Sequence, residues 1–175
     1  MRMTGEQRRE QLLDATKAIA VEDGFHAVSI EAVARRAGIT RPIVYGHFDD
    51  LGGLLQALVE RETVRALTQL PDSFEDLLGA LTAYLEAVRE DPDTWKLVLV
   101  PQEGAPRLLH QRIAAGRAAV VQRLAQSLDP RELPDPELTA HMLSAYADEA
   151  ARLTLQGYEV DRILRLTSWV LARLR

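Results

Sequence analysis

Only two residues, Gly38 and Ile39, separate two stretches whose apolar residues recur at helical spacing, and no other feature constrains the fold as much. Upstream, "IEAVARRA" puts Ile30, Val33, Ala34 and Ala37 on one face, and Ser29 stands where an N-cap would. Gly38 can then take the left-handed conformation that ends this helix and turns the chain sharply. Downstream, Thr40 can cap a short third helix to about His47, with Pro42 in its first turn, where a missing N–H is no loss. This is the spacing of a helix-turn-helix.

The rest of the chain repeats the helical period. Thr4 and Gln7 form a capping box for a first helix over about 5–22, which Gly24 stops. Asp49 or Asp50 caps a long fourth helix with Leu51, Leu54, Leu55, Leu58, Glu62 and Leu67 on successive turns, ending before "LPDS". Ser73 and Asp76 open a fifth to about Arg89, Thr94–Val100 form a short sixth, and a seventh spans about 107–127. "DPRELPDP" is a surface loop. "PELTAHMLSAYADEAARLTLQ" and "VDRILRLTSWVLARL" supply helices eight and nine. With no alternating strand or internal repeat, the expected class is all-α, about nine helices. The expected division is a helix-turn-helix domain over 1–48 and a larger helical domain over 49–175.

Charge and composition limit the partners. The net charge is −5, but residues 1–48 hold seven Lys or Arg against six Asp or Glu, giving +1 and leaving −6 for residues 49–175. The N-terminal segment can therefore face a polyanion without strong repulsion. No apolar run approaches the roughly 20 residues of a membrane span, and the first residues lack the apolar stretch of a signal peptide, so a cytoplasmic location is expected. The absence of cysteine removes disulfides, thiolate metal sites and cysteine nucleophiles. No glycine-rich phosphate loop, G-x-S-x-G elbow or H-E-x-x-H motif is present, so neither an enzyme nor a cofactor is expected.

The short third helix is unsuited to be ordinary core. Ile43 and Phe48 are expected to pack inward, leaving Thr40, Arg41, Pro42, Val44, Tyr45 and His47 to project outward. A recognition helix reads base edges with its N-terminal residues and grips phosphates with its flanks. Arg41 fits the O6 and N7 acceptors of guanine, and Pro42 and Val44 fit thymine methyls. Thr40, Tyr45, His47 and the helix-capping Ser29 suit phosphate oxygens.

Residues 9–58 resemble the N-terminal DNA-binding domain of the TetR family of bacterial transcriptional regulators. The resemblance is carried by Arg9, Leu12, Leu13, Ala15, Gly24-Phe25, Ser29-Ile30, Val33-Ala34, Ala37-Gly38-Ile39-Thr40, Tyr45, His47-Phe48 and Leu54-Leu55. It implies a homodimer on a palindromic operator, usually a repressor, released when a small molecule enters a pocket in the C-terminal domain, which makes 49–175 the effector-binding and dimerisation domain. One position departs from the pattern: the family usually places a phosphate-binding lysine where Leu51 stands, after Asp49 and Asp50. Either backbone N–H groups around Leu51, Gly52 and Gly53 replace it, or DNA is bound more weakly, or the chain is a helical adaptor that no longer binds DNA.

Tyr84, Trp95, His110, His141, Met142 and Tyr146 are candidates to line the effector pocket, against the plainer reading of packed aromatics and satisfied structural histidines. Asp148 and Glu149 read as a solvent-facing acidic pair. Ala145, Ala147, Ala150 and Ala151 on helix eight, with Ile163, Leu166, Val170 and Leu174 on helix nine, can build an isologous four-helix dimer interface or serve internal packing.

Overall fold

A computed structural model describes residues 3–100, 103–129, 131 and 133–173. Among them the chain forms α1 (Gly5–Asp23), a 3-10 turn (Phe25–Ala27), α2 (Ile30–Ala37), α3 (Arg41–Tyr45), α4 (Leu51–Thr68), α5 (Leu77–Glu90), α6 (Pro92–Leu99), α7 (Arg107–Ser127), α8 (Pro136–Leu155) and α9 (Val160–Leu171), and no strand. The all-α architecture of about nine helices is as expected.

Local chemistry sets most of the boundaries. At α1 the Thr4 hydroxyl accepts the Gln7 N–H at 3.2 Å while the Gln7 side chain accepts the Thr4 N–H at 2.9 Å, closing the capping box. Asp76 caps α5 through the Gly79 N–H, so that helix opens at Leu77 rather than at Ser73. Asp135 caps α8 through the Leu138 N–H, with Pro136 in the first turn. Thr40 occupies the N-cap position of α3 but its hydroxyl makes no capping bond, contrary to expectation.

Two compact units share the chain: Met1–Arg65 with Pro101–Ile113, and Ala66–Val100 with Ala114–Arg175. The structural division thus falls inside α4 and inside α7, not after residue 48, because the first turns of α4 bury Leu54 and Leu58 within the first unit. There α1 packs on α2 and α2 on α3. The Phe25 N–H donates to the Glu103 carbonyl at 3.2 Å, and Leu109 is buried, so the start of α7 belongs to the same body. Glu62, on the stripe of apolar positions along α4, is 1% exposed; Lys17 on α1 meets it at 2.9 Å and Arg61 at 2.8 Å. Arg61 in turn reaches Glu10 and Asp14, so α1 and α4 are joined by an ion network.

In the second unit α5 packs on α6, α8 and α9. Its core gathers Leu81, Tyr84, Leu85, Val88, Trp95, Leu99, Ala150, Ala151, Val160 and Ile163. Small residues on the inward face of α8 let that helix approach α5 closely. Leu138, Met142 and Tyr146, which precede the buried Ala150 at four-residue spacing on α8, lie exposed, as do Leu166, Trp169 and Val170 on α9. Leu174 lies outside the described residues.

Candidate nucleic-acid interface

The turn between α2 and α3 is built from backbone hydrogen bonds. Ser29 is extended and its hydroxyl accepts the Ala32 N–H at 3.1 Å, starting α2. At the other end Gly38 is left-handed (φ 68°), its N–H bonds to the Arg35 carbonyl, and the Ile39 N–H reaches back to the Ala34 carbonyl at 3.0 Å. This pair of bonds satisfies the last carbonyls of α2 and needs a residue without Cβ strain at the turn. Two residues later α3 begins.

On α3 the outward residues are Arg41, Pro42, Ile43 and Tyr45, with Thr40 exposed just before them. One expectation is corrected here. Val44 is fully buried, whereas Ile43, expected to pack inward, is 41% exposed. Val44 and Phe48 lie one turn apart, the Phe48 N–H donating to the Val44 carbonyl, so these two share the inward stripe and Ile43 is rotated off it. Val44 therefore cannot touch a base; Ile43 takes over as the exposed aliphatic residue. His47 is half-buried, its ring lying near Gly5 at the start of α1. Ser29 is also half-buried, and its hydroxyl hydrogen stays available while the oxygen caps α2.

Two acidic groups complete the face: Asp50, one of the two residues expected to cap α4, and Glu31, to which the sequence motif gave no role. The Arg41 guanidinium donates from Nη1 to Glu31 Oε1 at 2.6 Å, joining the first turn of α2 to the first residue of α3. The bond from Arg41 holds the Glu31 carboxyl below its ordinary pKa. At the start of α4, Asp50 accepts the Gly53 N–H through Oδ1 at 2.7 Å. A Cβ on Gly52 would meet that same oxygen at 3.2 Å, so the glycine leaves room for the aspartate cap. The Gly53 N–H, considered above for a phosphate, is thus occupied by the protein's own carboxylate. Among the basic groups nearby, Arg36 is paired with Glu22 at 2.7 Å and Arg9 stacks over the Phe48 ring at 5.0 Å.

The six pocket candidates do not converge on one site. Tyr84 and Trp95 are buried in the core of the second unit, edge to face at 5.0 Å, and the Trp95 indole N–H donates to Gln69 Oε1 at 2.8 Å. His110 belongs to the first unit, exposed, with its Nδ1 3.3 Å from the Pro106 carbonyl. Met142 and Tyr146 are exposed on α8, the Tyr146 hydroxyl 2.6 Å from the Thr167 hydroxyl. His141 lines an open cleft of about 710 Å³ between α7 and the start of α8, with Val121, Gln122 and Pro134. Met142, Tyr146 and Ala150 follow one another at four-residue spacing along one row of α8, and of the three only Ala150 is buried in the core of the second unit. Asp148, read from sequence as solvent-facing, instead accepts the Tyr84 hydroxyl at 3.3 Å and the Arg117 guanidinium at 2.7 Å.

Two short helices at this spacing define the class: a helix-turn-helix protein. Residues 12–58 match the family described as "Bacterial regulatory proteins, tetR family". The chain is 31% identical over 104 residues to the HTH-type transcriptional activator FasR of Mycolicibacterium smegmatis, covering 55% of this chain and 48% of FasR. It is 48% identical over 83 residues to the HTH-type transcriptional regulator BetI of Serratia proteamaculans, covering 47% of this chain and 39% of BetI. The matched stretch thus spans half or less of these curated relatives. Among solved structures, a TetR-like transcriptional regulator from Rhodococcus sp. RHA1 superposes with a TM-score of 0.74 at 25% identity, covering 94% of this chain and 93% of that one. The SmeT–triclosan complex does so with a TM-score of 0.64 at 28% identity, covering 82% of this chain and 78% of that one. Residues 12–58 thus carry the DNA-binding domain of the TetR family of bacterial transcriptional regulators, and the whole chain shares the fold of a TetR-like regulator.

Proposed function

We propose that this chain acts as a homodimeric repressor that binds a palindromic operator and is released from it by a small molecule. The observation that carries the reading is the exposed N-terminal end of α3, where Thr40, Arg41, Pro42 and Tyr45 project at the second helix of a helix-turn-helix. Arg41 reads guanine, Pro42 and Ile43 offer apolar contact, and Ser29, Thr40, Tyr45 and His47 hold phosphates. Residues 1–48 carry this contact, while residues 49–175 dimerise and bind the effector. Operator binding also requires a cytoplasmic location, and no helix of the described residues is long and apolar enough to cross a membrane.

Dimerisation places the exposed apolar residues of α8 and α9, Leu138, Met142, Tyr146, Leu166, Trp169 and Val170, against their copies in an isologous interface. Two recognition helices then meet successive major grooves, about 34 Å apart. Effector binding in the second unit, near the Tyr84–Asp148–Arg117 network and Trp95, favours a conformation in which α4 shifts and that spacing is lost. The triclosan bound in the SmeT structure supports a small, largely apolar effector. FasR is named an activator, so a second reading keeps the same DNA and ligand chemistry with the opposite sign.

Gel shift with DNA from upstream of its own gene, at two salt concentrations, tests the function. Sequence-preferring, salt-sensitive binding is expected. Its absence at low salt would instead favour a helical adaptor that has kept the fold and lost DNA binding. Sedimentation showing a monomer at micromolar concentration would remove the dimer.

A further inference from the structure

The Glu31–Arg41 pair joins the two helices of the motif at the end of α3 that meets base edges, and it is not part of any core. Both side chains are 61% exposed and Nη1 to Oε1 is 2.6 Å. An exposed pair of this kind contributes little to folding. Its position is where it has an effect. A guanidinium carries five N–H donors in a planar fork, and guanine recognition needs only two of them. Glu31 occupies a donor on Nη1 and so leaves another edge of the fork to face outward. A free arginine at the same place would sample many rotamers and would satisfy itself equally well on a phosphate.

The carboxylate also acts on the DNA directly. Phosphates and the guanine edge present negative or acceptor groups, which a carboxylate repels; cytosine N4 presents a donor, which it accepts. A carboxylate beside the reading arginine therefore penalises encounters of Arg41 with phosphates, where nothing donates to Glu31, and is tolerated at a guanine–cytosine pair, where cytosine N4 donates to it while Arg41 takes the guanine.

We propose that Glu31 is a specificity-determining residue of the operator contact: it positions the Arg41 guanidinium for guanine and suppresses phosphate contact by that arginine on non-cognate DNA. The proposal rests on the reading of Arg41 as a base contact. It predicts that removing the carboxylate makes the protein a broader DNA binder rather than a weaker one.

The test is selection from a randomised duplex library by the wild-type full chain and by Glu31→Gln, Glu31→Ala and Arg41→Ala, followed by salt titration on one selected and one scrambled duplex. Circular dichroism melts confirm that each variant is folded, which exposure of both side chains favours. A bidentate arginine–guanine contact is worth roughly 5- to 150-fold in base discrimination. In both Glu31 variants that discrimination falls at one base pair per half-site, the same pair at which Arg41→Ala loses it. Affinity for the scrambled duplex rises a few-fold, and its salt slope steepens by about one phosphate equivalent. If Arg41→Ala loses the preference while the Glu31 variants keep it, the role of Glu31 is overturned and the Arg41 contact stands. Should Arg41→Ala keep every preference of the wild type, the base-contact reading falls and this proposal with it. A wild-type protein that selects no sequence overturns both.

Discussion

The rotation of α3 is tested by truncating its two aliphatic residues separately. Val44 is fully buried and Ile43 is 41% exposed, although they are neighbours on the same short helix. Val44→Ala removes two carbons from the core, worth about 1.6 kcal/mol at roughly 0.8 kcal/mol per buried CH2. The unfilled space adds about 1 kcal/mol at roughly 24 cal/mol per Å³, so the total loss is about 2–3 kcal/mol. Ile43→Ala gives up partly solvated surface and recovers a few tenths of a kcal/mol in helix propensity, so its loss is about 1 kcal/mol or less. Both tryptophans, Trp95 and Trp169, lie in the second unit, so tryptophan fluorescence would follow the wrong body. Hydrogen exchange of the amides over 30–48 reports on the right one, alongside urea unfolding by circular dichroism. If the amides of α2 and α3 exchange through unfolding of this unit, Val44→Ala accelerates them roughly 30- to 150-fold, and Ile43→Ala by less than about tenfold. Equal acceleration by the two variants, or a larger effect of Ile43→Ala, would refute the facing described here.

Three further outcomes follow from other contacts. Glu62→Ala removes a buried carboxylate from between Lys17 and Arg61 and should cost about 3 kcal/mol in denaturant unfolding; a loss below about 1 kcal/mol would mean that the network adds little to the joint between α1 and α4. Asp50→Ala loses the cap on the Gly53 N–H, about 1 kcal/mol of stability, but removes a negative charge from the start of α4; DNA affinity measured by gel shift should rise several-fold at low salt, and unchanged affinity would place that helix end away from phosphates. Burial, reinforced by Asp148, pushes the Tyr84 phenol well above its ordinary value near 10. The unfolded chain then ionises first, so stability is fully present below pH about 10 and declines as pH rises toward the folded value; Tyr84→Phe should flatten this alkaline fall in melting temperature, and parallel curves would contradict it.

Helix existence was legible because each helix carries its own signals within a few residues. The Thr4–Gln7 box, the Ser29 and Asp76 caps and the left-handed Gly38 each depend on contacts no more than about four positions apart. The exposed end of α3 was legible for the same reason, since turn spacing and the proline place it. Facing was less so. Ile43 and Val44 are equally apolar, and only the bodies of α1, α2 and α4 decide which of them turns inward. Which pocket candidates lie near one another was not legible, because six residues from four helices have no common periodicity.

Sequence by itself determined the all-α class, the approximate ends of the helices, the helix-turn-helix and the surface that carries Arg41 and Tyr45, all of which follow from backbone hydrogen bonding and capping over short separations. Tertiary structure alone decided that Val44 rather than Ile43 is core, that Asp148 meets Tyr84 and Arg117, that the start of α7 joins the first unit, and that Glu31 lies against Arg41. Each of these depends on which faces of distant segments are brought together. A hydrophobic period narrows that choice to a stripe, and only packing selects the residue.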